Sequence, residues 1–409
     1  TRPAFDVAGE LSLLNALYLA NVDNEAIASR GEDYIQALAE KMRQAGTFLP
    51  TLSLVPSHSI SNSDGVDGSG GGTDHQTSVP LSVSANGSLS NVSNLQAAGK
   101  TAEQRAELLL NERETILLQV VNAYYSAAKS ERQAEVLEYG IKLKAEQVRD
   151  QEARLKLGNA KPLDLAQSQA DLAGTRASLT QARTDAANAR SALARLIGVP
   201  RVAGQLTDAY ALPAEVPGLD QWQQWAGAAR QDLNAAARYV ESARLGLDAA
   251  IRQYFPSVTI NFNYFLHSDP ASVQNWTGAI SANVPIFSAL AIEADIRKAW
   301  SVYRQAGLIE SQTRRQVVDE LNQSFQNLQN SRQRIKDLQT QVDAARRALE
   351  LSERAYQLGA VSNLDRLTQQ DYLLKARLNL LDEQFSEKAN YLSLLRSAGQ
   401  LGSVVHDRH

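Results

Sequence analysis

The stretch Glu353-Arg354-Ala355-Tyr356-Gln357-Leu358-Gly359-Ala360-Val361-Ser362-Asn363-Leu364-Asp365 has a diverged second copy in the same chain. That copy lies 201 positions earlier, as Glu152-Ala153-Arg154-Leu155-Lys156-Leu157-Gly158-Asn159-Ala160-Lys161-Pro162-Leu163-Asp164, with the glutamate, the Leu-Gly pair and the Leu-Asp pair at the same spacing. Each copy ends one long heptad-patterned segment and opens another, so each predicts a tight turn between two antiparallel helices. Gly158 and Gly359 supply the left-handed backbone that a helix stop needs. Two copies of one hairpin imply a repeat architecture.

Outward from the first turn, Ile116, Val120, Ala123, Ala127, Ala134, Leu137, Ile141, Val148 and Leu155 keep a spacing of fours and threes or their multiples, a coiled-coil seam. A helix from about Asn94 to Lys156 would be roughly 95 Å long at 1.5 Å per residue. Pro162 can open the next helix, and Leu165, Leu172, Leu179, Ala186 and Leu193 carry the seam back at intervals of seven. Around the second turn the same roles fall to Leu321, Leu328, Ile335, Leu338, Val342, Leu349 and Tyr356, then to Leu367, Leu374, Leu378, Leu381, Phe385, Leu392 and Leu395.

Ahead of each hairpin the period changes from that of a helix to that of a strand. After two helices predicted between about Leu11 and Gly46, Leu52, Leu54 and Ile60 alternate with serines, although His58 falls on the apolar side. The run from Asn62 to Thr73 is Gly-rich and predicts an exposed loop. Val79, Leu81, Val83, Ala85 and Leu89 then alternate with Ser78, Ser82, Ser84, Asn86 and Ser88. A Pro-rich linker through Pro213 and Pro217 precedes a helical stretch from Asp220 to Arg252. Val258, Ile260, Phe262, Tyr264 and Leu266 give the clearest alternation in the chain. A turn at Ser268-Asp269-Pro270 leads to a fourth strand from Trp276 to Ile286. Four such strands cannot close a barrel, and an open sheet in lipid would leave edge groups unpaired, so closure needs further copies. Three copies give twelve strands over twelve helices. The fold class expected is α+β, mainly helical: a two-fold repeat with four strands per chain of a trimeric, twelve-stranded transmembrane barrel, continued by a coiled-coil helical barrel. A soluble sandwich or meander beside a coiled coil is the other reading of the same alternation.

Composition agrees with long helices: of 409 residues, aromatics make up 6% and hydrophobics 44%. With 41 Lys+Arg against 45 Asp+Glu, no electrostatic footprint for nucleic acid exists. Zero cysteines remove disulfides, thiolate metal sites and Cys nucleophiles. No run of 18 apolar residues offers a transmembrane helix. The chain opens at Thr1 with no leader in view, which fits a processed or a trimmed protein. His58, His75 and His267 lack metal-ligand spacing, and no nucleophile, paired carboxylate or phosphate loop emerges, so neither catalysis nor a cofactor is expected.

The chain resembles the outer-membrane factor family, the TolC-like channels of Gram-negative tripartite efflux pumps and type I secretion systems. The likeness rests on Phe48-Leu49-Pro50-Thr51-Leu52 and Tyr254-Phe255-Pro256-Ser257-Val258, on Val284-Pro285-Ile286-Phe287, on Tyr356-Gln357-Leu358-Gly359 with Leu364-Asp365, and on Asn390-Tyr391-Leu392, in that order. The resemblance implies a homotrimer in outer-membrane lipid with most of the chain in the periplasm. It also implies an iris-like periplasmic tip and, as partners, a periplasmic adaptor and an inner-membrane transporter. It divides the chain into N-terminal equatorial helices (1–49), a barrel hairpin (50–90), a helical hairpin (91–198), a linker with equatorial helices (199–253), a second barrel hairpin (254–287), a second helical hairpin (288–398) and a tail (399–409). A soluble periplasmic scaffold or adaptor is the alternative.

Carried onto these positions, the resemblance makes Asp365 and Asp164 gate carboxylates, with Arg366 and Arg354 as neighbouring cations. Leu157, Gly158, Leu358 and Gly359 become the adaptor-docking surface, and Tyr264 and Trp276 the membrane-interface aromatics. The other reading of the two aspartates is a helix-start role, favoured by the helix dipole. Three departures stand out. Thr368 and Gln167 occupy the place of a second tip acid, no cysteine is present to carry an N-terminal lipid, and Ser288-Ala289 and Ser90-Asn91 replace the usual Asp-Gly.

Overall fold

A computed structural model of the chain describes residues 9–63, 72–208, 210–269 and 275–403. In chain order these form β1 (Leu11–Ser12), α1 (Leu13–Asp23), α2 (Glu25–Gly46), β2 (Thr51–Leu54), β3 (Ser57–Ser63), β4 (Gly72–Gly87), α3 (Leu89–Lys156), α4 (Pro162–Leu196), β5 (Leu206–Thr207), α5 (Leu219–Ala229), α6 (Gln231–Ile251), β6 (Ser257–Asp269), β7 (Trp276–Asn283), α7 (Ala291–Gln357) and α8 (Asn363–Ser397). They gather into two compact units, one drawn from 1–29, 110–231 and 315–409, the other from 30–109 and 232–314.

The second unit holds an antiparallel sheet in the order β2-β4-β6-β7, with β3 also pairing β4. Strands β2 and β3 are one line of chain in a single register on β4, interrupted where Val55 and Pro56 stand opposite Pro80 and Val79. Both prolines lack an N–H for the ladder, and the register with β6 shifts at the same Val79/Pro80 step. The predicted first strand is therefore two pieces. Cross-strand partners put Leu52, Val83, Phe262 and Gly278 in one row and Leu54, Leu81, Tyr264 and Trp276 in another, so this face is apolar over that stretch, and beyond Pro80 it turns polar, with His58 and Asp269 opposite Thr77. That face is bare: Leu52 is 67% and Ile280 77% exposed. The opposite face carries Ser53, Ser82, Asn263 and Thr277.

Several predicted ends move. Leu89 opens α3 instead of ending a strand, because the Ser88 hydroxyl accepts the Asn91 N–H at 3.1 Å and caps the helix. The fourth strand stops at Asn283, short of the predicted Ile286, and the chain turns through Ala289 (φ 48°) and Leu290 (φ 70°) before α7. Left-handed backbone at two successive non-glycine residues costs on the order of 1–3 kcal/mol each. This is the point at which Ser288-Ala289 departs from the expected Asp-Gly. Asn62, Ser63, Gly72 and Thr73 still belong to strands, as do Ser268 and Asp269; residues 64–71 of the Gly-rich run and Pro270 lie outside the described residues.

Leu11, Leu17, Leu117, Tyr124, Leu193, Trp222 and Leu394 are among the largest side chains buried in the first unit. A short parallel pair, β1 with β5, was not foreseen. The buried Tyr124 hydroxyl lies 3.0 Å from the Leu11 carbonyl and 2.8 Å from that of Thr207, and so ties this pair to α3. The helical stretch predicted from Asp220 to Arg252 is two helices that meet at Arg230, whose backbone turns extended (ψ 117°). Its buried guanidinium donates to the Ser397 carbonyl and to Glu320, which also receives Arg396. The heptad seams pack as the spacing predicts: Ala134, Leu137, Leu179, Ala182, Leu374 and Leu378 form one cluster. Val342, Leu349, Leu373 and Ala376 belong to another.

Candidate functional site: the hairpin tips

Both turns close alike. Past α3, Gly158 has φ 76°, its N–H reaches Leu155 O at 3.0 Å, and Asn159 N–H reaches back to Arg154 O at 2.8 Å. Past α7, Gly359 has φ 72°, with Gly359 to Tyr356 at 3.0 Å and Ala360 to Ala355 at 2.8 Å. These bonds satisfy carbonyls that a helix end orphans, and only glycine takes the required backbone without strain. Leu157 and Leu358, just before the glycines, are both exposed.

The next helices start on their aspartates. Ser362 N–H and Oγ–H donate to Asp365 Oδ2 at 2.9 and 2.6 Å, and Asp365 N–H donates to Ser362 Oγ at 3.2 Å, a reciprocal capping box. The Ser362 hydroxyl, then its N–H, lowers the Asp365 pKa. Asp164 receives the Lys161 N–H at 3.4 Å. Within one chain both aspartates thus have a helix-start role, and among the described residues neither Arg354 nor Arg366 forms an ion pair with Asp365. The expected charge compensation by these arginines is not made inside the chain.

Arg366 is instead buried. It donates to Asn363 Oδ1 at 2.8 Å, and its guanidinium lies over the Tyr356 ring, 4.3 Å from the centroid. Arg154 approaches the same ring at 5.7 Å and pairs with Asp150. The Tyr356 hydroxyl accepts from the fully buried Gln151 at 2.7 Å. Asn363 donates to the Asp164 carbonyl and to Ser168 Oγ, each at 3.1 Å, joining the start of α8 to that of α4. Farther from the turns, the buried Lys144 places its ammonium 2.6 Å from both Asp171 on α4 and Asp371 on α8. Burial raises the Asp171 pKa, and Lys144 partly offsets it.

Gln151, Asn363, Ser168, Lys144, Asp171 and Asp371 were not singled out from sequence, and Tyr356 was read as a seam residue and as part of the Tyr-Gln-Leu-Gly motif, with no polar role. A signal was there: Lys144 and Gln151 each stand three residues after a seam residue, Ile141 and Val148, where the pattern calls for an apolar side chain. Asp371 likewise falls between Leu367 and Leu374. Tyr264 and Trp276 are cross-strand partners on the apolar face, with Trp276 stacked on Phe262 at 5.8 Å.

A model of the family described as outer membrane efflux protein matches the chain twice, over residues 23–199 and 222–400. The cation efflux system protein CusC of Escherichia coli is 24% identical over 328 residues, covering 76% of this chain and 69% of the relative. The outer membrane efflux protein BepC of Brucella suis is 22% identical over 338 residues, covering 80% and 74%. Among solved structures, the Campylobacter jejuni CmeC outer membrane channel superposes with a TM-score of 0.86 at 16% identity, covering 95% of this chain and 86% of that one. With both matched regions spanning a helical hairpin and the strands before it, this chain belongs to the outer membrane efflux protein family.

Proposed function

We propose that three copies of this chain close their sheets into a twelve-stranded barrel in the outer membrane, above a periplasmic tunnel of twelve helices, and that this is the exit duct of a tripartite efflux pump. Residues 50–90 and 254–287 would supply the barrel and 91–198 and 288–398 the tunnel. The sheet carries the reading. Its apolar face is exposed, and its outer strands, β2/β3 and β7, each have an edge without a partner among the described residues. Unpaired strand edges cost several kcal/mol per group in hydrocarbon, so such a sheet must be closed by more copies. The mass of the detergent-solubilised protein tests this: about three times the 44.6 kDa chain is expected, and a monomer or dimer refutes it.

At the other end, the four helix ends of one chain are tied by Gln151, Tyr356, Arg366, Asn363 and Ser168. Opening the tunnel would require α7 and α8 to part from α3 and α4 across those bonds. Asp365 and Asp164, in the first turns of their helices, would gather around the threefold axis in the trimer, where Arg354 of a neighbouring copy would offset the charge. The exposed Leu157-Gly158 and Leu358-Gly359 pairs would meet the periplasmic adaptor, which in turn engages the inner-membrane transporter. The names of the relatives, CusC and BepC, favour efflux as the task.

A further inference from the structure

The five strands β2, β3, β4, β6 and β7 contain no Lys or Arg. Where their outward face turns polar, beyond Pro80, its ionisable residues are His58, His75, His267 and Asp269. Seventeen positions separate His58 from His75 along the chain, but the pairing of β3 with β4 closes that gap. His58 stands opposite Thr77 and Ile60 opposite His75, so the two histidines are diagonal neighbours on one face, both exposed. Their ring centroids are 5.7 Å apart, with 26° between the planes. His58 Nδ1 also lies 2.9 Å from Thr77 Oγ1. With Nδ1–H donated to that hydroxyl, the Nε2 lone pair is left for an ion, and a hydrogen bond of this kind is what orients most metal-bound histidines. An imidazole centroid sits about 3.2 Å from an ion bound at its nitrogen, so two rings at a tetrahedral angle have centroids roughly 5 Å apart. The observed separation is close to that, and one rotation of the exposed His75 ring turns a nitrogen toward the ion.

We propose that His58 and His75 bind a divalent transition ion of the class imidazole prefers, Cu²⁺, Ni²⁺ or Zn²⁺, as a bridge from β3 to β4. No group of three His, Cys, Asp or Glu side chains is placed to hold an ion among the described residues, so water fills the remaining positions. Asp269, opposite Thr77 on β6 and diagonal to His75, adds a negative charge on the same face, and no cationic Lys or Arg on the strands opposes the ion. The bridge lies just past the interruption at Val55-Pro56, where β3 resumes its pairing with β4 as an outer strand. A bound ion there clips the outer strand to its neighbour. Both ligands come from one chain, so the site stands apart from closure of the sheet by further copies.

Copper(II) chloride titrated into the detergent-solubilised full chain tests this, with His406→Ala and His409→Ala in every sample so that the tail contributes no imidazole. One Cu²⁺ per chain is expected, with an electron paramagnetic resonance spectrum that shows coupling to two nitrogens. His58→Ala and His75→Ala should each weaken binding by about tenfold or more and leave coupling to one nitrogen, while His267→Ala should bind like the parent. Hydrogen exchange across Ser57–Ser63 should slow when copper is added to the parent but not to His75→Ala. Exchange of each variant without metal is compared first, which separates a folding defect from a lost ligand. Saturable binding that His58→Ala and His75→Ala leave intact, a loss in His267→Ala as large as in His75→Ala, or no saturable binding by the parent overturns the proposal.

Discussion

Replacing Lys144 by methionine keeps the length of the side chain and removes its charge from between Asp171 and Asp371. The two carboxylates respond differently. Asp371 is 57% exposed and rehydrates, so its share of the loss is small, whereas Asp171 is 15% exposed and stays behind as a buried charge. Removing one partner of a buried pair costs about 3–5 kcal/mol, and with one of the two acceptors solvent-facing the expected cost is at the low end, about 3 kcal/mol. Hydrogen exchange around Lys144 on α3 and around Asp371 on α8 should then be roughly a hundredfold faster near neutral pH. The pH dependence follows from Asp171. Its pKa is already raised by burial, and the variant deletes the Lys144 hydrogen bond and charge that lower it. A carboxyl whose folded pKa is raised contributes stability that is present below the ordinary carboxylate range and lost as pH rises through the folded pKa. The penalty in the Lys144→Met variant should therefore be largest at pH 8 and shrink as pH falls toward 4, and adding Asp171→Asn should recover most of it. A loss that is uniform with pH, or that Asp171→Asn does not relieve, would refute the buried-charge account.

Asp365→Ala should loosen the first turn of α8, seen as faster exchange at Ser362 to Arg366, and should raise single-channel conductance; an unchanged conductance would leave Asp365 with its capping role alone. Because its pKa is lowered, the cap persists above the ordinary carboxylate range and is lost only as pH falls through the depressed value, so the protection of the tip amides, relative to the exchange of an unstructured chain at the same pH, should be insensitive to pH between 5 and 8. Gly359→Val meets no neighbour within 4 Å but must hold φ 72°, at about 1–2 kcal/mol, and should weaken crosslinking to the adaptor while barrel insertion is retained. Glu114 accepts the Gly402 N–H at 2.7 Å and burial raises its pKa, so stability of the parent should decline as pH rises through that value; Glu114→Gln should flatten the decline in a thermal melt series from pH 4 to 8.

Helices, turns and strands were legible because their causes are local. A 3.6-residue stripe, a two-residue alternation and a glycine with left-handed backbone act within a few positions along the chain. The seams through Leu137, Leu179 and Leu374 and the turns at Gly158 and Gly359 accordingly came out where the spacing put them. Where the expectation slipped, two local signals competed, as at Ser88-Leu89, or a distant residue intervened. The gap at Val55-Pro56 depends on Pro80 standing opposite, and the break at Arg230 accompanies bonds from its guanidinium to Ser397 and Glu320. The polar network was the least legible. Asp365 and Arg366 are adjacent and of opposite charge, yet the helix cap claims one while Asn363 and the Tyr356 ring hold the other. Lys144 meets Asp371 from 227 positions away. Such partners are chosen by the register and rotation of packed helices, which no periodicity within one helix encodes; the sequence determined which segments are helix or strand and which faces are apolar, and the tertiary structure decided which polar group answers which.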